Sequence, residues 1–335
     1  MKRIISLLLA LALSLSLAAC AAPAEKADGG KLQIVTTLFP YYDFARAIAQ
    51  DRADVTLLLS PGREAHSFEP TPLDAVTISE ADVFLYNGGE GEYWVESMLD
   101  AAGEHIAVAS RMMDYVDALN EEYVEGMQGA DGHDHDHEHG SHDDHDHDHE
   151  KDEHDSDEIE YDEHIWTSPK NAVVLCRAVC DAICRADAEN AAFYRANCEN
   201  YCAQLEDLDA RFAALCESAP RRLLIFADRF PMLYFCREYG LDYRAAFHGC
   251  SGDTEPSLAT IKFLIDKVED ENIPVVYTID FGTKKVAAVV SECTGAAIET
   301  LYSMQTVSRA DFDAGETYLT LMERNFEALR KGLNE

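Results

Sequence analysis

DAENAAFYRANCENYCAQLEDLDARFAALCESAPRRLLIFADRF, residues Asp187 to Phe230, carries two periods in one stretch. Tyr194, Cys198, Tyr201, Leu205, Leu208, Phe212 and Leu215 recur at alternating steps of four and three. That spacing puts all of them on one side of an α-helix. A helix of about 30 residues spans roughly 45 Å at 1.5 Å per residue, which is long for a globular domain. Pro220 stops the pattern, and Leu223 to Phe226 begins a β-type run that leads into Ala227-Asp228-Arg229. A coiled coil would also carry such a seam. A single seam followed at once by a strand predicts instead a rigid strut joining two lobes.

Outward from the strut, the same unit recurs: a short apolar run, then a polar residue able to bind a ligand. Val55 to Leu59 leads to a loop containing His66, Tyr243 to Phe247 leads to His248, and Val275 to Ile279 leads to Asp280. Ile34 to Leu38 and Val83 to Tyr86 are further strand candidates, and Tyr42 to Gln50 is helical. Short apolar runs fit buried parallel strands. Their alternation with helices predicts an α/β fold with two lobes, each built on a mostly parallel sheet. Ser168-Pro169 reads as an N-cap and first helical position, opening a helix to about Arg185. The expected division is an N-terminal lobe over 31–186, a linking helix over 187–219 and a C-terminal lobe over 220–335. In such sheets ligands bind outside the carboxyl ends of the strands, where these polar residues fall.

The chain has 335 residues, 27 basic and 63 acidic side chains, and a formal charge of −36. That charge argues against a nucleic-acid partner, which would need a basic stripe, and it suits a cation. At 47% hydrophobic residues the chain is too apolar for disorder throughout. Lys2 and Arg3, the apolar run to Leu17 and Leu-Ala-Ala-Cys20 form an export signal over 1–19. A Cys at that place resembles the bacterial lipobox, which implies that Cys20 is lipidated and holds the protein at a membrane surface. Residues 20–30 then read as a flexible tether.

Gly132 to Asp155 reads GHDHDHEHGSHDDHDHDHEKDEHD. Residues 131–158 hold no apolar stretch that would drive folding, and they predict a disordered loop. Acid alone would explain Asp and Glu, but not His at every second position. His133, His135, His137, His139, His142, His145, His147 and His149 are therefore candidate weak, fast-exchanging metal sites.

His66 and His164 stand apart from that tract. His66 lies in PGREAHSFEPTP, Pro61 to Pro72, and His164 in DEHIWTSPKNA, Asp162 to Ala172. Both stretches match, nearly position by position, motifs of the solute-binding proteins of zinc and manganese ABC transporters. Asn87-Gly88 with Glu92 and Trp94, Tyr239-Gly240-Leu241, Glu255-Pro256-Ser257 and Thr294-Gly295-Ala296 stand at family-like places. The resemblance covers roughly Leu32 to Leu333. It implies two lobes joined by a long helix and one metal ion held in the cleft. It implies His66 and His164 as ligands from the first lobe and Asp280 from the second. It further implies an exported monomer, lipid-anchored at the outer face of the cytoplasmic membrane, whose partners are a membrane permease and its ATPase.

The third ligand departs from the family pattern. Counting back from Tyr239-Gly240-Leu241 lands on Arg229, which has no lone pair to offer. A shift of one gives Asp228, and His248 competes with it after the next strand. Two His and two Asp would be a harder ligand set, friendlier to Mn2+. The His-rich tract favours Zn2+, which is the expected cargo.

After Cys20, nine cysteines remain, and none sits in a C-x-x-C pattern. Cys176, Cys180 and Cys184 share one helix face and Cys198 and Cys202 another. They read as small buried thiols, although bridges between packed helices are compatible with export. The expected function is zinc capture for import, without catalysis. The other readings are a surface metal buffer or adhesion protein using the His-rich tract, and a zinc hydrolase.

Overall fold

The computed structural model describes residues 30–63, 68–103, 106–128, 160–249 and 255–334. The first sheet is formed by β1 (Leu32–Thr36), β2 (Ala53–Leu57), β3 (Val83–Tyr86) and β4 (Val108–Arg111), in the order β2-β1-β3-β4. The second is formed by β5 (Leu223–Phe230), β6 (Asp242–His248), β7 (Val275–Ile279) and β8 (Ala297–Leu301), in the order β6-β5-β7-β8. Every pairing is parallel. The two sheets thus repeat one topology, and each reverses direction between its first and third strands in chain order. Helices cover the faces, as parallel sheets require for burial.

The N-terminal lobe carries α1 (Phe39–Ala49), α2 (Pro72–Ser79) and α3 (Val95–Ala102). Thr71 caps α2 through a reciprocal pair with Asp74, and Ser168 accepts from the Asn171 N–H to cap α4 (Pro169–Ala186). The strut is α5 (Ala191–Ser218), 28 residues long, and all seven residues of its predicted seam are buried. The seam packs into one core that reaches both lobes, including Phe44 and Trp166 on one side and Phe226 and Phe235 on the other.

The C-terminal lobe adds α6 (Leu233–Tyr239), α7 (Leu258–Asp270), α8 (Lys285–Thr294) and α9 (Arg309–Ala314). A smaller core of Ile225, Phe247, Leu264, Val276 and Val290 lies under α7 and α8. The last helix, α10 (Tyr318–Asn334), returns to the first lobe. There the buried Asp43 accepts from Tyr201 Oη at 2.5 Å and from the Tyr318 N–H at 3.0 Å, and Tyr318 Oη donates to the Trp166 carbonyl at 2.7 Å. Buried polar groups joined in this way fix how the strut and the last helix meet the first lobe.

Two strands escape the sequence reading. β4 (VASR) and β8 (AIETL) are edge strands with partly exposed residues, so neither shows an apolar run. β5 carries an irregularity that the sequence hides. Phe226 pairs with Ala245, yet Arg229 pairs with Phe247, so one extra residue sits on β5 between those pairs. It is a β-bulge, and Asp228 lies within it.

Candidate metal centre

Both sheets present their reversal points to a common cleft. In the first lobe Thr37 and Leu38 follow β1, while Asn87, Gly91 and Glu92 follow β3. These five residues line a pocket with Leu59, Phe68, Trp94, Glu163 and Gln305. In the second lobe Arg229 and Pro231 end β5, and Ile279 and Phe281 bracket the end of β7. They line a second pocket with His164, Gly249, Ser303, Gln305 and Thr306. Gln305 belongs to both pockets, so the two adjoin. The switch points of open α/β sheets are where such folds bind ligands.

His164 is buried at the end of the segment that leads into α4. Its Nδ1 lies 3.0 Å from Asp162 Oδ1, which also accepts the His164 backbone N–H at 2.8 Å. A proton on Nδ1 shared with this carboxylate would leave the Nε2 lone pair open to a metal, the usual way a protein fixes a ligating imidazole. Burial works to lower the affinity of the ring for a proton. The Asp162 charge, with Glu163 and Glu121 behind it, outweighs burial and raises it. Trp166 sits edge-on to the ring at 5.6 Å between centroids. Gly249 lies against the ring, where an added Cβ would stand 3.1 Å from His164 Cε1 and 2.9 Å from the Phe230 carbonyl oxygen.

Asp280 follows β7. Its Oδ1 accepts the Ser303 N–H at 3.2 Å, while the Ser303 carbonyl accepts from Trp166 Nε1 at 2.7 Å. One residue therefore ties the His164 turn to the Asp280 loop. Burial pushes the Asp280 carboxyl up to about 6. Asp228 Oδ1 accepts from the Arg229 N–H at 2.9 Å. Its Oδ2 fills the space of a missing side chain at Gly282, 1.7 Å from where a Cβ would stand. The two C-lobe carboxylates thus come from the neighbouring strands β5 and β7, on either side of the reversal point.

His248 ends β6 and turns to the other lobe. Its Nδ1 meets Glu121, a buried carboxylate, and its ring lies 5.1 Å from that of Tyr123. Arg229, which the motif count selects, lines the pocket beside His164. His66 lies outside the described residues, as do Cys20, the signal over 1–19 and the histidines from His133 to His149. The residues flanking the gap at 64–67 do bear on the site. Leu59 and Phe68 wall the first pocket, and Gly62 N–H donates to the Val307 carbonyl at 2.7 Å.

Two further acidic groups line the first pocket. Burial raises Glu92 to about 7, against a hydrogen bond at 2.8 Å from the Gly88 N–H that lowers it. Burial also raises Glu163, whose Oε1 accepts from the Gly91 N–H at 2.7 Å. The sequence pointed to neither Asp162 nor Ser303 as partners of the site. Asp162 had a readable signal, an acid two residues before a His. Ser303 had none, because only tertiary contact brings it between Trp166 and Asp280.

Among the described residues no helix is long and apolar enough to cross a membrane. The sequence model of the periplasmic zinc-uptake complex component A matches residues 34–332. The high-affinity zinc uptake system protein of Bacillus subtilis (strain 168) is 31% identical over 308 residues, covering 91% of this chain and 88% of that protein. The zinc-binding lipoprotein AdcA of Streptococcus pneumoniae is 30% identical over 331 residues, and the match covers 99% of this chain but 61% of that protein. The crystal structure of the Zn(II)-bound ZnuA-like domain of pneumococcal AdcA superposes with a TM-score of 0.70 at 26% identity, covering 91% of this chain and all of that one. Two lobes of like topology, a long joining helix and a cleft lined by His164 accompany a family match over most of the sequence, and the chain belongs to the family of periplasmic zinc-uptake components.

Proposed function

We propose that this chain captures one Zn2+ ion in the interlobe cleft and hands it to a membrane ABC permease driven by its ATPase. The ligands are His66 and His164 from the first lobe and Asp228 and Asp280 from the second. Two neutral imidazoles and two carboxylates balance a dication without leaving net charge in a closed site, and all four are accepted zinc donors. The observation that carries the reading is His164, anchored on Asp162 through Nδ1 and lining the pocket that Ser303 ties to Asp280. Asp228 is preferred to His248 because its carboxylate lies against Gly282, two residues from Asp280.

The work of the site is binding and release, with no bond made or broken in a substrate. Cys20 anchors the exported chain as a monomer at the outer face of the membrane. The His-rich tract adds weak sites that raise the local ion concentration. Deleting Gly132 to Asp155 tests the assignment. The shortened protein should still take up one Zn2+ tightly, and His164→Ala in that background should abolish the uptake. If tight binding disappears with the tract alone, the chain is a surface buffer and the cleft is not the site. Comparing Asp228→Asn with His248→Ala in the same background identifies the third ligand by which of the two loses affinity.

A further inference from the structure

Outside the cleft, α4 and α5 pack side by side and bring five thiols into one seam. Cys176, Cys180 and Cys184 come from α4, and Cys198 and Cys202 from α5. All five are buried and free. The Sγ atoms of Cys176, Cys198 and Cys202 lie within 4.8 Å of one another. Those of Cys198 and Cys202 are 3.8 Å apart. Sulfurs sharing a tetrahedral zinc ion at about 2.3 Å stand about 3.8 Å apart along each edge. A disulfide would need them at about 2.05 Å, and Cys198 and Cys202 are held one helical turn apart on the same helix. The cluster is spaced for sulfurs around a shared ion rather than for a bond between them.

Packing alone accounts for part of this. Cys198 donates to the Cys176 carbonyl at 3.8 Å and Cys202 to the Val173 carbonyl at 3.9 Å, so the protonated thiols have partners. It does not account for the open space beside them. Cys180, Cys198 and Cys202 line a pocket of about 240 Å³ together with Arg177, Asp181, Arg195 and Glu199. A seam of inert thiols needs no such opening, whereas an ion needs a path in. Loss of the thiol protons would leave the Cys176 and Val173 carbonyls, both inside α4, to the hydrogen bonds of the helix itself. The Arg177 and Arg195 guanidinium groups at the mouth offset the extra negative charge of a three-thiolate complex, although Arg177 is shared with Glu206 at 2.8 Å.

We propose that Cys176, Cys198 and Cys202, with Cys180 on the open side, form a second metal site that takes one soft, thiophilic cation, Zn2+ or Cu+. Sulfur donors prefer such ions over the hard cations that carboxylates hold. This site shares no residue with the cleft and does not depend on the reading given to it. Zn2+ would use four sulfurs in a tetrahedron, and Cu+ the three that lie closest.

The test is a Co2+ titration of the full exported chain, reduced and kept free of oxygen. Thiolate ligation gives a near-ultraviolet sulfur-to-cobalt charge-transfer band, which imidazole and carboxylate sites lack, so the cleft and the His-rich tract remain silent. The expected result is one equivalent of that band, displaced by Zn2+, together with loss of three or four thiols from reaction with Ellman's reagent. Cys198→Ser and Cys202→Ala should each weaken Co2+ uptake at this site at least tenfold, in variants whose thermal melts show an intact fold. With Cys180→Ser, a retained band supports the three-sulfur Cu+ arrangement, which competition with a Cu+-specific chelator then measures. A lost band supports the four-sulfur zinc arrangement. The proposal is overturned if the folded, reduced protein shows no sulfur-to-cobalt band. It is equally overturned if the protein as isolated lacks thiols that a reductant restores, since the seam would then be a disulfide.

Discussion

Replacing Asp162 by Asn separates its charge from its shape. The amide oxygen can still accept the His164 N–H, now at 2.8 Å, and the Nδ1 proton, now at 3.0 Å. The charge that raises the basicity of the ring is gone. Loss of an outer partner of this kind weakens metal binding about 10- to 100-fold, or about 1.4–2.7 kcal/mol. The same change lowers the affinity of the ring for protons, which compete with the ion for imidazole. Two readouts therefore report on one residue: weaker Zn2+ binding at pH 8, measured by competition against a chromophoric chelator in the variant lacking Gly132 to Asp155, and a His164 imidazole in the metal-free protein that loses its proton at lower pH than the parent's, followed by NMR. Affinity at pH 8 within twofold of the parent, or a His164 titration unchanged or shifted toward alkali, refutes the role given to Asp162.

Other perturbations read other parts of the structure. Gly249→Ala places a Cβ against the Phe230 carbonyl and the His164 ring; zinc affinity should fall at least tenfold, measured by the same competition. Glu92 binds its proton more tightly in the folded chain, at about 7, than in the unfolded one, near 4.5. Its contribution to stability is therefore full below about pH 4.5 and is lost as pH rises through 7, by up to about 3 kcal/mol. Asp280, raised to about 6, adds a smaller loss of the same sign. Glu92→Gln should flatten this fall in denaturant titrations of the metal-free protein between pH 5 and 7.5. Asp43→Ala strips the Tyr201 hydroxyl and the Tyr318 N–H of their shared acceptor; a loss of about 2–4 kcal/mol is expected, visible as a lower midpoint in urea.

Much of the architecture was legible in the sequence because it rests on strong periods. The Tyr194 to Leu215 seam is one face of α5, and the runs 83–86 and 275–279 became β3 and β7 over those residues. β4 and β8 were not legible, since an edge strand with partly exposed residues lacks the apolar run that marks a buried one. At the candidate site, the motif pointed to His164, and the structure buries that ring beside Asp162. The uncertainty over the third ligand has a structural origin. The extra residue in β5 between Phe226 and Arg229 breaks the alternation of faces, so a count along the chain does not say which of Asp228 and Arg229 faces the cleft. The thiol seam was visible as spacing on two helices. Its open pocket depends on how α4 and α5 pack, which spacing does not report.

The central claim is that one ion sits between the lobes, shared by imidazole and carboxylate. Anomalous diffraction at the zinc edge, from crystals of the protein lacking Gly132 to Asp155, locates that ion directly. The account predicts a peak about 2.0–2.1 Å from His164 Nε2, with Asp280 and His66 in the same coordination shell. A cleft without a peak at full zinc occupancy elsewhere, or a peak bound to neither His164 nor Asp280, would contradict it.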